Sequence, residues 1–244
     1  MKKYRIILVI IIMLSIVKVQ AQKEGTLWVN LITGLNSTWI LNQNAYGNPE
    51  IEYATSFGFT GGAGVSYYFS AQNGFSGSLL ASKLGQNYSG VMKGDDADRK
   101  ARLTYIEVPL VFMRNIPYTQ NPTWVSFGPT IMLLIDAQQE FFRKSGTSDL
   151  PNPDGMKKGD MKERFNKTDV ALSLALNKLY PLDDSGKSMF LLSFNTSLGL
   201  TDINSIEWKL PNMHDEYAPS RNFYIGIRAG LSFNASRDKS SKKE

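Results

Sequence analysis

The sequence predicts an all-β fold, an eight-stranded antiparallel up-and-down transmembrane β-barrel. Three observations predict it. Apolar residues recur at every second position in eight separate segments. The connections between those segments alternate long and short. An export signal opens the chain, and no long apolar run follows it.

Residues 1–21 carry the signal. Lys2, Lys3 and Arg5 form a basic start, an apolar run extends from Ile6 to Val17, and Val19-Gln20-Ala21 supplies small residues for cleavage after Ala21. The run is too short for a membrane span, which needs roughly twenty residues. Any insertion of the mature chain must therefore use strands, whose backbone groups pair with one another away from water.

Composition excludes several classes. Lys and Arg number 27 and Asp and Glu 22; four of the basic residues lie in the signal, so the mature chain has 23 against 22. That balance removes the main support for nucleic-acid binding. With no cysteine, the chain has no disulfide, no thiolate nucleophile and no lipid on an amino-terminal cysteine.

The alternating segments are Gly25–Leu41, Phe57–Phe69, Gly74–Lys83, Arg102–Asn115, Thr123–Asp136, Thr168–Tyr180, Met189–Leu200 and Arg221–Phe233. The last is the clearest. Phe223, Ile225, Ile227, Ala229, Leu231 and Phe233 line one face, while Tyr224, Gly226, Arg228, Gly230 and Ser232 line the other. In a soluble barrel the face of small and polar residues would meet water, yet it carries few charges. In a membrane barrel the apolar face meets lipid and small residues fit the narrow lumen. The connections 42–56, 84–101, 137–167 and 201–220 are long, and 70–73, 116–122 and 181–188 are short. This rhythm places both termini and the short turns on the periplasmic side. Residues 22–233 form the barrel, and 234–244 a charged, disordered periplasmic tail.

Several motifs are those of a known group. Thr104-Tyr105-Ile106-Glu107-Val108-Pro109-Leu110, Phe127-Gly128-Pro129, Lys167-Thr168-Asp169-Val170 and Gly199-Leu200-Thr201-Asp202-Ile203-Asn204 occur in order along the mature chain. On these the chain resembles the PorT-like family of outer-membrane β-barrels. The resemblance implies an eight-stranded barrel in the outer membrane of a Gram-negative envelope, and it implies no activity. One namesake is tied to a protein secretion system. The departure is the tail after Phe233, where such barrels usually end on an aromatic residue.

Alternation turns Tyr105, Glu107 and Pro109 inward in the fourth strand and Arg228 inward in the eighth. Pro109 has no ladder donor and marks a bulge or break. Lys83, Asp136 and Asp169 are placed near the outer ends of inward faces. Charges in so narrow a lumen must be paired or hydrated. The expectation is a structural network of Glu107 and Arg228 with Lys83 as a second cation, closing the lumen to solutes. A proton or ion path is its rival.

No catalytic, metal or cofactor site is expected. His214-Asp215, with Ser220, is the one arrangement that could serve a hydrolase or acyltransferase. Asp95, Asp96 and Asp98 do not follow a calcium-loop pattern, and basic residues follow them. Phe141-Phe142 and Trp208 are candidates for loop contacts with a partner. The expected function is non-enzymatic: a structural or interaction platform in contact with outer-membrane lipid and with envelope or secretion proteins. A small passive pore is the alternative.

Overall fold

The computed structural model describes residues 24–42, 51–92, 95–117, 119–143, 158–209 and 217–236. The signal at 1–21, His214, Asp215 and most of the tail lie outside the described residues.

Eight long strands close a ring. They are β1 (Thr26–Leu41), β3 (Phe57–Tyr68), β4 (Asn73–Met92), β5 (Asp95–Asn115), β6 (Thr123–Arg143), β8 (Thr168–Pro181), β9 (Ser188–Gly199) and β10 (Arg221–Asn234). Each pairs antiparallel with its neighbours, and β1 joins β10 from Trp28↔Asn234 to Leu41↔Arg221. Two short strands, β2 (Ile51–Ala54) and β7 (Lys158–Asp160), flank β4 and β6 at the end with the long connections.

Period-two sequence makes the ring inside-out. Side chains of β1 alternate from Thr26, Trp28 and Asn30 inside to Leu27, Val29 and Leu31 outside. The outer wall is apolar on every strand: Leu35 is 65% exposed, Phe57 76%, Leu79 61% and Ile227 60%. Water would make so continuous an apolar surface unstable, whereas hydrocarbon accepts it. The span from Phe223 to Phe233 is about 33 Å of strand. At a tilt of roughly 40° it rises about 25 Å, the height of a lipid-facing band. Aromatic rings gather at the rims. Phe69, Phe75, Phe112 and Phe127 form an outward chain at the short-turn end, with successive centroids 5.4, 5.6 and 6.2 Å apart. Trp39 and Phe223 meet at 5.4 Å at the other rim.

Three strands run further than the alternation indicates. The stretch 84–101, expected as a loop, continues β4 and β5 as a paired hairpin from Leu84↔Leu103 to Met92↔Asp95. Much of 137–143, also expected as loop, extends β6 beside it. Above the apolar band, inward positions need only pack against neighbouring strands. Tyr88, Ala97 and Phe141 do so in a small buried cluster, and Arg99 Nη2 donates to Gln139 Oε1 at 2.6 Å. Phe141 is therefore structural, contrary to the partner contact expected of it; the Phe142 side chain lies outside the described residues. Gly85 lets the backbones of β4 and β5 approach closely there. It has φ +139°, and a Cβ there would stand 2.0 Å from the Ala101 carbonyl oxygen.

Pairing lapses at the prolines. Between β4 and β5 the register passes from Leu80↔Glu107 to Gly77↔Leu110, and between β5 and β6 from Pro109↔Thr130 to Phe112↔Phe127. The bulge itself lies higher, where Thr104 faces Asp136 but Tyr105 faces Leu134. Ile135 is the extra residue.

A candidate site in the barrel lumen

Inward side chains stack in tiers. At the short-turn end, Trp28, Tyr68, Met113, Trp124, Leu179, Met189 and Leu191 form an apolar plug, with the Tyr68 and Trp124 rings 4.7 Å apart. Above it is a chamber of about 100 Å³, lined by seven serines and three asparagines set among apolar residues such as Ile32, Val111 and Leu174, and reaching up to Tyr224 and Arg228. Asn30 Nδ2 donates to Ser66 at 2.9 Å, Ser232 donates to Asn30 Oδ1 at 2.7 Å, and Asn177 Nδ2 donates to Ser126 at 2.9 Å. Both amide atoms of buried Asn195 lack a protein partner, as does Arg228 Nε. All line a space wide enough for ordered water, to which these atoms offer polar partners.

The charged tier follows. Glu107, from β5, is fully buried. The Tyr224 hydroxyl, from β10, donates to Glu107 Oε2 at 3.0 Å, and Arg228 Nη2 donates to that hydroxyl at 3.0 Å. The direct Arg228–Glu107 distance is 3.9 Å. Two residues earlier along β10 and β5, Asn222 Nδ2 donates to Asp169 Oδ2 at 2.9 Å and to the Tyr105 hydroxyl at 3.1 Å, while Thr201 donates to Asp169 Oδ1 at 2.6 Å. Low dielectric strengthens such bonds and penalises any member left alone.

Lys83, the second cation expected in this tier, is absent from it, and Asp136, expected on an inward face, is not there either. Lys83 points outward and is exposed, in parity with Phe75, Gly77, Leu79 and Ala81; Leu80 takes the inward place at 1% exposure. Adjacent Leu79 and Leu80 made the parity ambiguous in the sequence. Asp136 also faces outward, because the bulge at Ile135 shifts every later β6 side chain by one position. Asp169 does face inward. Tyr224 and Asn222, which join the charges, sit on the polar face of β10 that also carries Arg228, and polarity alone does not mark them out from the other residues of that face.

A lid of loop residues closes the other end. Ile40, Leu84, Leu103, Tyr105, Met132 and Leu134 meet Met161, Phe165 and Ile203 in one buried cluster. Met161 and Phe165 flank a short 3-10 helix (Lys162–Arg164), and their loop is tied to the 200–209 segment. Asn166 N–H donates to the Ile203 carbonyl at 2.7 Å, and Ser205 N–H to the Arg164 carbonyl at 2.9 Å. The Arg164 guanidinium lies 4.2 Å from the centre of the Trp208 ring, so half-buried Trp208 has an intramolecular neighbour. Three apolar residues in otherwise polar loops were the available sign of this lid.

The described ends of the last long connection, 201–209 and 217–220, are bonded to each other and to the end of β1. Ser220 is fully buried; its hydroxyl donates to the Asn42 carbonyl at 2.9 Å and accepts from Asn204 at 3.1 Å. Ser220 is thus engaged as a structural group. Tyr217 donates to Asp202, and burial with that carboxylate pushes the phenol up to about 12. No group of three or more potential metal ligands occurs among the described residues.

A closed antiparallel ring with lipid-facing walls, aromatic rims and polar filling defines an outer-membrane β-barrel. Similar solved structures include OprG from Pseudomonas aeruginosa, at 12% identity and TM-score 0.37, covering 90% of this chain and 100% of that one. Neisserial surface protein A is similar at 11% identity and TM-score 0.39, covering 86% and 99%. AlkL in lipid bilayers is similar at 11% identity and TM-score 0.41, covering 91% and 96%. No family model and no curated protein sequence matches the chain. The PorT-like resemblance therefore rests on the strand motifs alone.

Proposed function

We propose that the protein is a non-enzymatic outer-membrane barrel with a closed lumen, working as an interaction platform in envelope assembly or protein secretion. The observation that carries this reading is the double closure of the lumen. An apolar plug lies below the chamber, and an apolar lid lies above the Glu107–Tyr224–Arg228 tier. The chamber's 100 Å³ holds a few waters and offers little room for a solute. What remains for function is the outer surface. The β4–β5 hairpin and the extended β6 supply a paired outward sheet, and the PorT-like motifs favour envelope or secretion proteins as its partners.

Reconstitution in planar bilayers tests the closed lumen: no single-channel steps are expected. Stable steps from a preparation that migrates as a folded barrel would establish the passive pore instead. Crosslinking from native outer membrane should capture envelope proteins through the 84–101 hairpin.

A further inference from the structure

The displaced lysine points to a second site, on the outer wall. Lys83 opens onto a groove of about 490 Å³ at the upper edge of the apolar band. One wall is apolar: Leu35, Phe57 and Phe59 belong to the lipid-facing surface, and Phe57 is among its most exposed residues. The facing wall is basic. Lys83 on β4 is joined by Lys100 and Arg102 on β5, whose side chains share the outward parity of Thr104. Glu140 holds one end of the Arg102 guanidinium at 3.5 Å, and Asp136 adds a carboxylate to the groove. Three cations against two carboxylates leave it net positive.

We propose that this groove binds a phosphorylated glycolipid of the outer leaflet. Its apolar wall is continuous with the surface that lipid chains already cover, so an acyl chain lies naturally along Phe57 and Phe59. At the edge of the band the next chemical group of such a lipid is its sugar phosphate, at the height of Lys83 and Arg102. Basic side chains near an anionic membrane surface attract it additively. Asn87, Gln138 and Asp136 line the same groove and suit sugar hydroxyls. Neither a purely apolar partner nor a soluble anion uses both walls. The inference does not depend on whether the lumen is closed.

The test is native mass spectrometry of the purified full barrel in detergent with added bis-phosphorylated lipid A. The wild-type protein should retain the lipid. The double variant K83Q/R102Q should retain it roughly tenfold less well while keeping folded-barrel migration. K178Q, at the opposite rim, should behave as wild type. Lipid A stripped of phosphate should bind no better to wild type than the phosphorylated lipid binds to the double variant. Should the double variant fail to fold, K83Q alone reads the same site. Equal retention by K83Q and wild type, equal retention of the dephosphorylated lipid, the same loss in K178Q, or displacement by millimolar inorganic phosphate would each overturn the proposal.

Discussion

A tyrosine hydroxyl, more than direct contact, carries the link between Glu107 and Arg228. Tyr224 sits between them with two 3.0 Å bonds, while the charges themselves are 3.9 Å apart. Removing the hydroxyl by Tyr224→Phe should lower stability by about 1–3 kcal/mol, the cost of orphaned buried partners. Glu107→Ala should cost more, about 3–5 kcal/mol, because it leaves the largely buried Arg228 cation without its carboxylate. The urea midpoint of the folded-barrel band on a gel measures both. A larger loss for Tyr224→Phe than for Glu107→Ala would contradict the charge-led account. At this scale the sequence was readable where alternation was unbroken, as for Glu107, Arg228 and Asp169. It misled where two leucines stood side by side before Lys83, and where a bulge no composition announces preceded Asp136.

Strands and turns show a different balance. All eight membrane-crossing strands stand out as period-two segments, because lipid on one side and a cramped lumen on the other enforce the alternation. The hairpin beyond the band does not, since its few large apolar residues, Leu84, Tyr88, Val91 and Met92, keep no continuous period of two and cross-strand pairing does the ordering. The lid was hidden for the related reason that Met161, Phe165 and Ile203 come from separate loop positions with no period. Turn chemistry can be tested directly at the 182–187 turn. Asp183 accepts from the Ser185 hydroxyl at 2.6 Å and from Lys187 N–H at 3.0 Å, with Gly186 at φ +64°. The Ser185 bond leads in holding the Asp183 carboxyl at about 2, below its ordinary 3.8. A lowered value means that the turn's stabilisation is present above about pH 4 and is lost as pH falls towards 2. The protection factor of the Lys187 amide against exchange should fall over that window, and Asp183→Asn should remove that fall.

For the whole molecule, closure is the governing fact. Every long strand has two partners, so the ring has no open edge. Such a barrel resists detergent when unheated and should shift its gel mobility on boiling. Recovery as an unshifted band from the soluble periplasmic fraction would contradict the membrane fold. Ring closure, strand count and inside-out polarity were legible in the sequence because they depend only on alternation and loop rhythm. The outward sheet was not, because its order arises from contacts between strands and from loops packed into the mouth.

The β1–β10 seam sets the timetable of assembly. Ser232 bonds to Asn30 across 202 positions of chain, so the first strand waits for the last before its outer edge is satisfied. Contacts this distant in sequence form slowly and late. Until β10 arrives, β1 and β9 both expose unpaired backbone, and the nascent chain needs shelter on its way to the membrane. Once the seam shuts, opening it means breaking a full strand of hydrogen bonds inside hydrocarbon. The finished barrel therefore persists by the height of its unfolding barrier.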